Sequence, residues 1–132
     1  MSDWTIKALG LEKLDRQARQ KLGVLEPTVL PAGHILFRKG DDVSGFVMAL
    51  SGRIGVYISG ANGRELLLYS VVPGQTCVQT TLGLLGEKNY TGEAIAETDI
   101  SVVLVPKPVF LELMATSTSF RTFVFQAFAD RL

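Results

Sequence analysis

Hydrophobic and polar positions change their period more than once along this chain. Over residues 3–22 apolar side chains recur at three- and four-residue spacing, Ile6 and Leu9 first, then Leu11, Leu14, Ala18 and Leu22, which predicts helix. Gly10 separates the two sets and predicts a break into two short helices, and Gly23 stands where a left-handed residue commonly ends a helix. From Thr28 the period falls to two. Short strands are predicted at Val29–Gly33 (closed by a Pro-x-Gly turn), His34–Arg38, Gly45–Leu50, Arg53–Ser59 and Arg64–Val72. The turn signals between them are Lys39-Gly40-Asp41-Asp42, Ser51-Gly52, Gly60-Ala61-Asn62-Gly63 and Pro73-Gly74. Alternation sets Ile54, Val56 and Ile58 against Arg53, Gly55 and Tyr57, and sets Leu66, Leu68 and Ser70 against Leu67, Tyr69 and Val71. Short strands at this spacing predict a sandwich or barrel, here a β-roll.

The alternation is interrupted at Pro73–Thr98, which holds the cysteine Cys77, several small hydroxyl residues, a Gly-Leu-Leu-Gly turn and a short apolar strand. In a small β domain such an interruption is where a ligand site is expected. Beyond it, Ile100–Val105 reads as a strand buried on both faces, ended by Pro106-Lys107-Pro108. Val109–Ala115 predicts a short helix with Phe110, Leu111, Leu113 and Met114 inward, and Ser117, Thr118 and Ser119 are N-cap candidates for the helix that follows. Phe120–Leu132 is helical and strongly aromatic. Phe120, Phe123, Val124, Ala127, Phe128 and Arg131 share one face, with Phe125, Ala129 and Leu132 on an adjacent one. One face covers the β core and the other calls for a partner. A second copy is the simplest partner, and Phe120, Phe123, Val124, Ala127, Phe128 and Arg131 are assigned to that interface.

Composition narrows the class. The 132 residues form one domain, 47% apolar and 20% charged, with zero net charge, so no nucleic-acid surface is forecast for this segment. One cysteine excludes an internal disulfide and a cysteine-held cluster. The start of the chain lacks the pattern of a secretory signal, and no apolar run approaches the roughly 20 residues of a membrane span, so the expected address is the cytoplasm, with no membrane partner. His34 is the chain's one histidine and has no carboxylate pair at ligand spacing beside it. No catalytic residues, metal or cofactor are therefore expected, and the chain is not read as an enzyme.

With the order of elements set out, the chain resembles the sensor domain of Crp/Fnr-family transcription regulators from about Leu14 to Leu132. The resemblance is carried by residues 30–41 (LPAGHILFRKGD), residues 50–57 (LSGRIGVY), Gly63-Arg64-Glu65 and Pro73-Gly74. It implies a mainly β fold with flanking helices: a double-stranded β-helix of the cyclic-nucleotide-binding type, followed by a dimerisation helix. Residues 1–116 would then hold the N-terminal helices, the roll and the short helix, and residues 117–132 the start of the long helix. A helix-turn-helix domain that binds DNA and meets RNA polymerase would follow beyond residue 132. The implied protein is a homodimer answering to a small-molecule effector.

In nucleotide-binding members the phosphate cassette resembles F-x-G-E-L-A-L followed by R-S/T-A. Laid on that pattern, Val78 falls at the glycine, Gln79 at the glutamate, and Thr80 and Thr81 on the next positions. Tyr90, Thr91 and Gly92 fall on the second set, with Asn89 an alternative for its first position. The arginine that neutralises the cyclic phosphate has no counterpart; Lys88 is adjacent but lacks the bidentate fork. The resemblance thus implies the fold, while the cassette residues predict a degenerate site: Val78, Gln79, Thr80, Thr81, Tyr90 and Thr91 would meet a neutral ligand, or serve only to satisfy backbone groups. Cys77 has no Lys, Arg or His within several residues and reads as a buried apolar thiol, with a redox sensor as the alternative. A stand-alone regulatory module attached to another protein is the remaining alternative.

Overall fold

The computed structural model describes Trp4, residues 11–86 and residues 88–130. The proposed break at Gly10, with Ile6 and Leu9, and the assignments of Arg131 and Leu132 lie outside the described residues. Four helices and seven strands are described: α1 (Arg16–Gly23), β1 (Thr28–Leu30), β2 (Ile35–Phe37), β3 (Gly45–Ser51), β4 (Ile54–Ser59), β5 (Glu65–Val71), α2 (Val78–Gly86), β6 (Glu93–Ala96), β7 (Ile100–Pro106), α3 (Lys107–Thr116) and α4 (Thr118–Ala129). The strands form two antiparallel sheets, in the orders β1-β7-β3 and β2-β6-β4-β5. Val56, Val71, Ala94 and Ala96 of the second sheet are buried together with Phe46, Ile100, Val103 and Val105 of the first.

Helices α3 and α4 cap the first sheet through aromatic contacts. Phe46 of β3 lies 5.0 Å from Phe110 and 6.3 Å from Phe120, and those two rings are 5.8 Å apart. All three are fully buried. Pro108 is accepted in the first turn of α3, where no intrahelical N–H bond is lost.

Several expectations need correction. Gly23 is the last helical residue of α1, with Val24 continuing in right-handed backbone, so the helix closes without a left-handed residue. Gly83-Leu84-Leu85-Gly86 is the end of α2 and not a turn; neither glycine has positive φ, and Gly83 is there because a Cβ would run into Val43 and the Lys88 carbonyl. The turn glycines at 33, 40, 52, 63 and 74 do have positive φ. In β7, Leu104 is 52% exposed, so the strand is not covered on both faces throughout, and Leu111 of α3 faces out.

The β4–β5 pairing slips by one residue. Val56 pairs with Tyr69, but Tyr57 pairs with Leu67 and Ile58 with Leu66, leaving Leu68 as the extra residue of a bulge. Past the bulge the faces exchange: Leu66 joins the face of Tyr69 and Val71, and Leu67 joins that of Tyr57.

Candidate functional site: the α2 cassette

The break in strand pattern becomes a helix because Cys77 can begin one. Its carbonyl accepts both the Thr81 N–H and the Thr81 hydroxyl, each at 3.1 Å. Thr81 thereby spends its hydroxyl on the backbone of its own helix. Val78 and Gln79, the first residues of α2, are half-buried, while Thr80 and Thr81 are buried.

Tyr69, on β5, organises the start of this helix. Its hydroxyl accepts the Gln79 N–H at 3.2 Å and lies 3.3 Å from Cys77 Sγ. A neutral hydroxyl thus meets one of the N–H groups that a helix N-terminus would otherwise offer to an anion. The Gln79 side chain turns toward β6, where its Oε1 accepts the Thr91 N–H at 3.3 Å. It passes over Gly92, where a Cβ would stand 3.0 Å from Gln79 Nε2 and would collide with the Tyr57 carbonyl. Gln79 therefore bridges the two halves of the cassette.

Tyr90, at the arginine-equivalent position, points into the protein. It is 6% exposed, and its ring stacks on Phe37 with centroids 3.6 Å apart and planes 7° from parallel. Its hydroxyl meets Thr80 Oγ1 at 3.1 Å. Burial pushes the phenol up to about 12, with the Thr80 hydrogen bond opposing, so Tyr90 stays neutral at physiological pH. Its backbone is also engaged: the N–H donates to the Asp41 carbonyl and the carbonyl accepts the Gly40 N–H.

The structure thus brings Cys77, Val78, Gln79, Thr80, Thr81 and Tyr90 around one helix start, with Thr91 exposed at the edge. Cys77 is 4% exposed and lines an internal cavity of about 10 Å³ with Leu36, Phe37, Val47, Ile54, Val56, Val71 and Ala94. That space admits about one water and no nucleotide. An open groove of about 420 Å³ lies beside Phe37 and Tyr90, lined also by Asp41, Asp42 and Leu104, and one of about 510 Å³ runs along α4, between Glu12, Lys13 and Gly74 on one side and Ser119, Thr122, Phe123 and Gln126 on the other.

The sequence reading missed Tyr69. Alternation had placed it on the face of Val71, so its inward direction was available, but its hydroxyl contact with a segment folded back from the next turn was not. A second unforeseen group is Glu97, whose carboxylate accepts from Arg53 Nε at 3.2 Å and from the Tyr57 hydroxyl at 3.0 Å. Gly55 leaves room for it, since a Cβ there would stand 2.8 Å from the Glu97 carboxyl carbon.

The α4 assignment changes. Phe120 and Val124 are fully buried in the chain's own core and Ala127 is 9% exposed, so the face assigned to a second copy is largely one this chain covers itself. Phe123 and Phe128 are half-buried. Phe125, on the adjacent face, is 52% exposed. Among the described residues no helix is long and apolar enough to cross a membrane.

This architecture has known counterparts. Residues 27–117 match the family model of the cyclic nucleotide-binding domain. The catabolite activator protein of Thermus thermophilus superposes with a TM-score of 0.77 at 20% identity, over 92% of this chain and 57% of that one. A protein assigned to the Crp/Fnr family of transcriptional regulators, from Eubacterium rectale, gives 0.75 at 20% identity, over 89% of this chain and 55% of that one. The N-terminal domain of a transcriptional regulator from Streptomyces coelicolor gives 0.72 at 19% identity, over 99% and 92%. No curated protein matches the sequence. This chain spans little more than half of the first two structures and nearly all of the third. At these identities the superpositions speak for the fold, which is the roll with its flanking helices expected from the sequence. The family model covers more than half of the residues, and the chain belongs to the cyclic nucleotide-binding domain family.

Proposed function

We propose that this chain is the effector-sensing domain of a dimeric Crp/Fnr-type transcription regulator whose cassette does not take a cyclic nucleotide. The observation that carries the second half is Tyr90. The position expected to hold a cation against a phosphate holds a neutral ring stacked on Phe37 and tied to Thr80. A phosphate bound there would forgo a charge-assisted pair worth about 1.5–3 kcal/mol. Tyr69 and Gln79 already occupy hydrogen-bonding groups beside it. The ligand class that suits these groups is neutral, met by Gln79 and Thr91 at the cassette edge. Calorimetric titration with cyclic AMP and cyclic GMP is expected to show no saturable heat at micromolar ligand; micromolar binding of either overturns this reading.

Dimerisation is assigned to the free side of α4. Phe125 is its exposed aromatic, and a buried aromatic anchor at an interface is commonly worth about 2 kcal/mol or more, a factor of roughly thirty in dissociation constant. A full-length regulator carrying this domain is expected to sediment as a dimer, and Phe125→Asp to shift it to monomer at concentrations where the parent is dimeric. A dimer indifferent to Phe125→Asp would move the interface elsewhere. DNA and RNA polymerase enter this proposal through the domain that follows in regulators of this type.

A further inference from the structure

Two helices whose starts lie 102 residues apart share one carboxylate. Asp15 is the N-cap of α1, its Oδ1 accepting the Ala18 N–H at 2.8 Å. Its Oδ2 accepts the Ser117 hydroxyl at 2.6 Å and the Ser119 hydroxyl at 2.8 Å. Ser119 Oγ in turn accepts the Asp15 N–H at 2.8 Å, so the contact is reciprocal. The Ser117 hydroxyl, then the Ala18 N–H and the Ser119 hydroxyl, hold the Asp15 carboxyl below its usual range.

Ser117 is a junction by itself. Its N–H closes α3 on the Leu113 carbonyl at 2.8 Å, and its Oγ opens α4 by accepting the Phe120 N–H at 3.1 Å. With φ −115° and ψ 108° it is the one extended residue between the two helices. Two soft torsions of a single residue therefore set the angle at which α4 leaves α3. Farther along, Lys21 of α1 is ion-paired with Glu112 of α3. Helix α1 is thus fastened to α3 near one end and to the start of α4 at the other, as a splint lies across a joint.

We propose that Asp15 clamps the α3–α4 junction and is a positioning residue for α4, beyond its service as a cap for α1. If α4 carries the signal out of this domain, the clamp makes the N-terminal helix part of the output path; that consequence rests on the function proposed above, whereas the clamp itself does not.

Amide hydrogen exchange on this chain tests it without ligand, DNA or a second copy. Asp15→Asn retains an acceptor for the Ala18 N–H, and asparagine caps helices about as well as aspartate, but it removes the shared carboxylate. Ser119→Ala removes the reciprocal partner and leaves α4 capped by Ser117. Each substitution is expected to speed exchange of the Arg121, Thr122, Phe123 and Val124 amides about fivefold, as for a partly exposed charge-assisted hydrogen bond. Amides of β3 and β7 should keep their parental rates, and the two substitutions together should add little to either alone. Unchanged exchange in α4 overturns the clamp, as does an equal rise in the sheet, which marks a general loss of stability. If the clamp holds while the full-length protein proves not to be a dimeric regulator, only the consequence falls.

Discussion

Truncating Phe46 to alanine is expected to cost about 3–5 kcal/mol of unfolding free energy, read as a lower urea midpoint at unchanged slope. The ring is fully buried where β3 meets α3 and α4, in contact with both Phe110 and Phe120. Its two aromatic neighbours come from different helices, so neither can move in to fill the void without abandoning its own contacts. Against a total stability of about 5–15 kcal/mol, this loss would leave a marginal fold. Phe125→Ala is the matched control. That side chain is 52% exposed, and its loss should stay within about 0.5 kcal/mol in the monomer. A Phe46→Ala cost below about 1 kcal/mol would mean that α3 and α4 do not seat on β3 as described.

Tyr90→Arg is expected to unfold the cassette instead of repairing it. On the family pattern an arginine belongs there, and adding one looks like a route to phosphate binding. The pocket Tyr90 fills is flat and apolar against Phe37, and its one polar contact is the Thr80 hydroxyl. A guanidinium held there would have, among the described residues, the solvent-exposed Asp41 carboxylate nearby, which already accepts the Arg38 N–H, and a buried charge without a close partner costs about 3–5 kcal/mol. Thermal unfolding with and without cyclic AMP distinguishes the outcomes. The expected variant melts far below the parent and gains nothing from nucleotide. A stable Tyr90→Arg protein that binds cyclic AMP would show that the cassette lacks only its cation.

Much of the fold was legible because its signals are local. The turn at Ser51-Gly52 needs a residue with positive φ, and Gly52 provides it at 85°. Ser117 was one of three hydroxyl residues marked as possible caps, and the structure selects it. What escaped depends on long-range packing. Helix α2 has weak periodicity because Gly83 is chosen for close approach to Val43, not for helix propensity. The bulge at Leu68 lies inside three consecutive leucines, where no change of residue type marks the slip. In α4 two apolar faces compete, and composition does not say which one meets Phe46. The cassette followed the same rule. Its departure from anion-binding chemistry was readable from Val78, Gln79 and Tyr90, whereas the part played by Tyr69 appears only when β5 and α2 are brought together.

The order of strands bears on how this chain is made. In the three-stranded sheet β7 lies between β1 and β3, although it follows both of them in the chain. Leu30 pairs with Ile100, and Gly45 with Pro106. While the chain emerges from the ribosome, β1 and β3 therefore wait without a strand to join them until nearly the whole domain has been translated. Such distant pairings close slowly, and the apolar edge of β3 stays uncovered meanwhile. The first sheet therefore cannot close before residues 100–106 have emerged, and the interval before that is the one in which a chaperone would matter most.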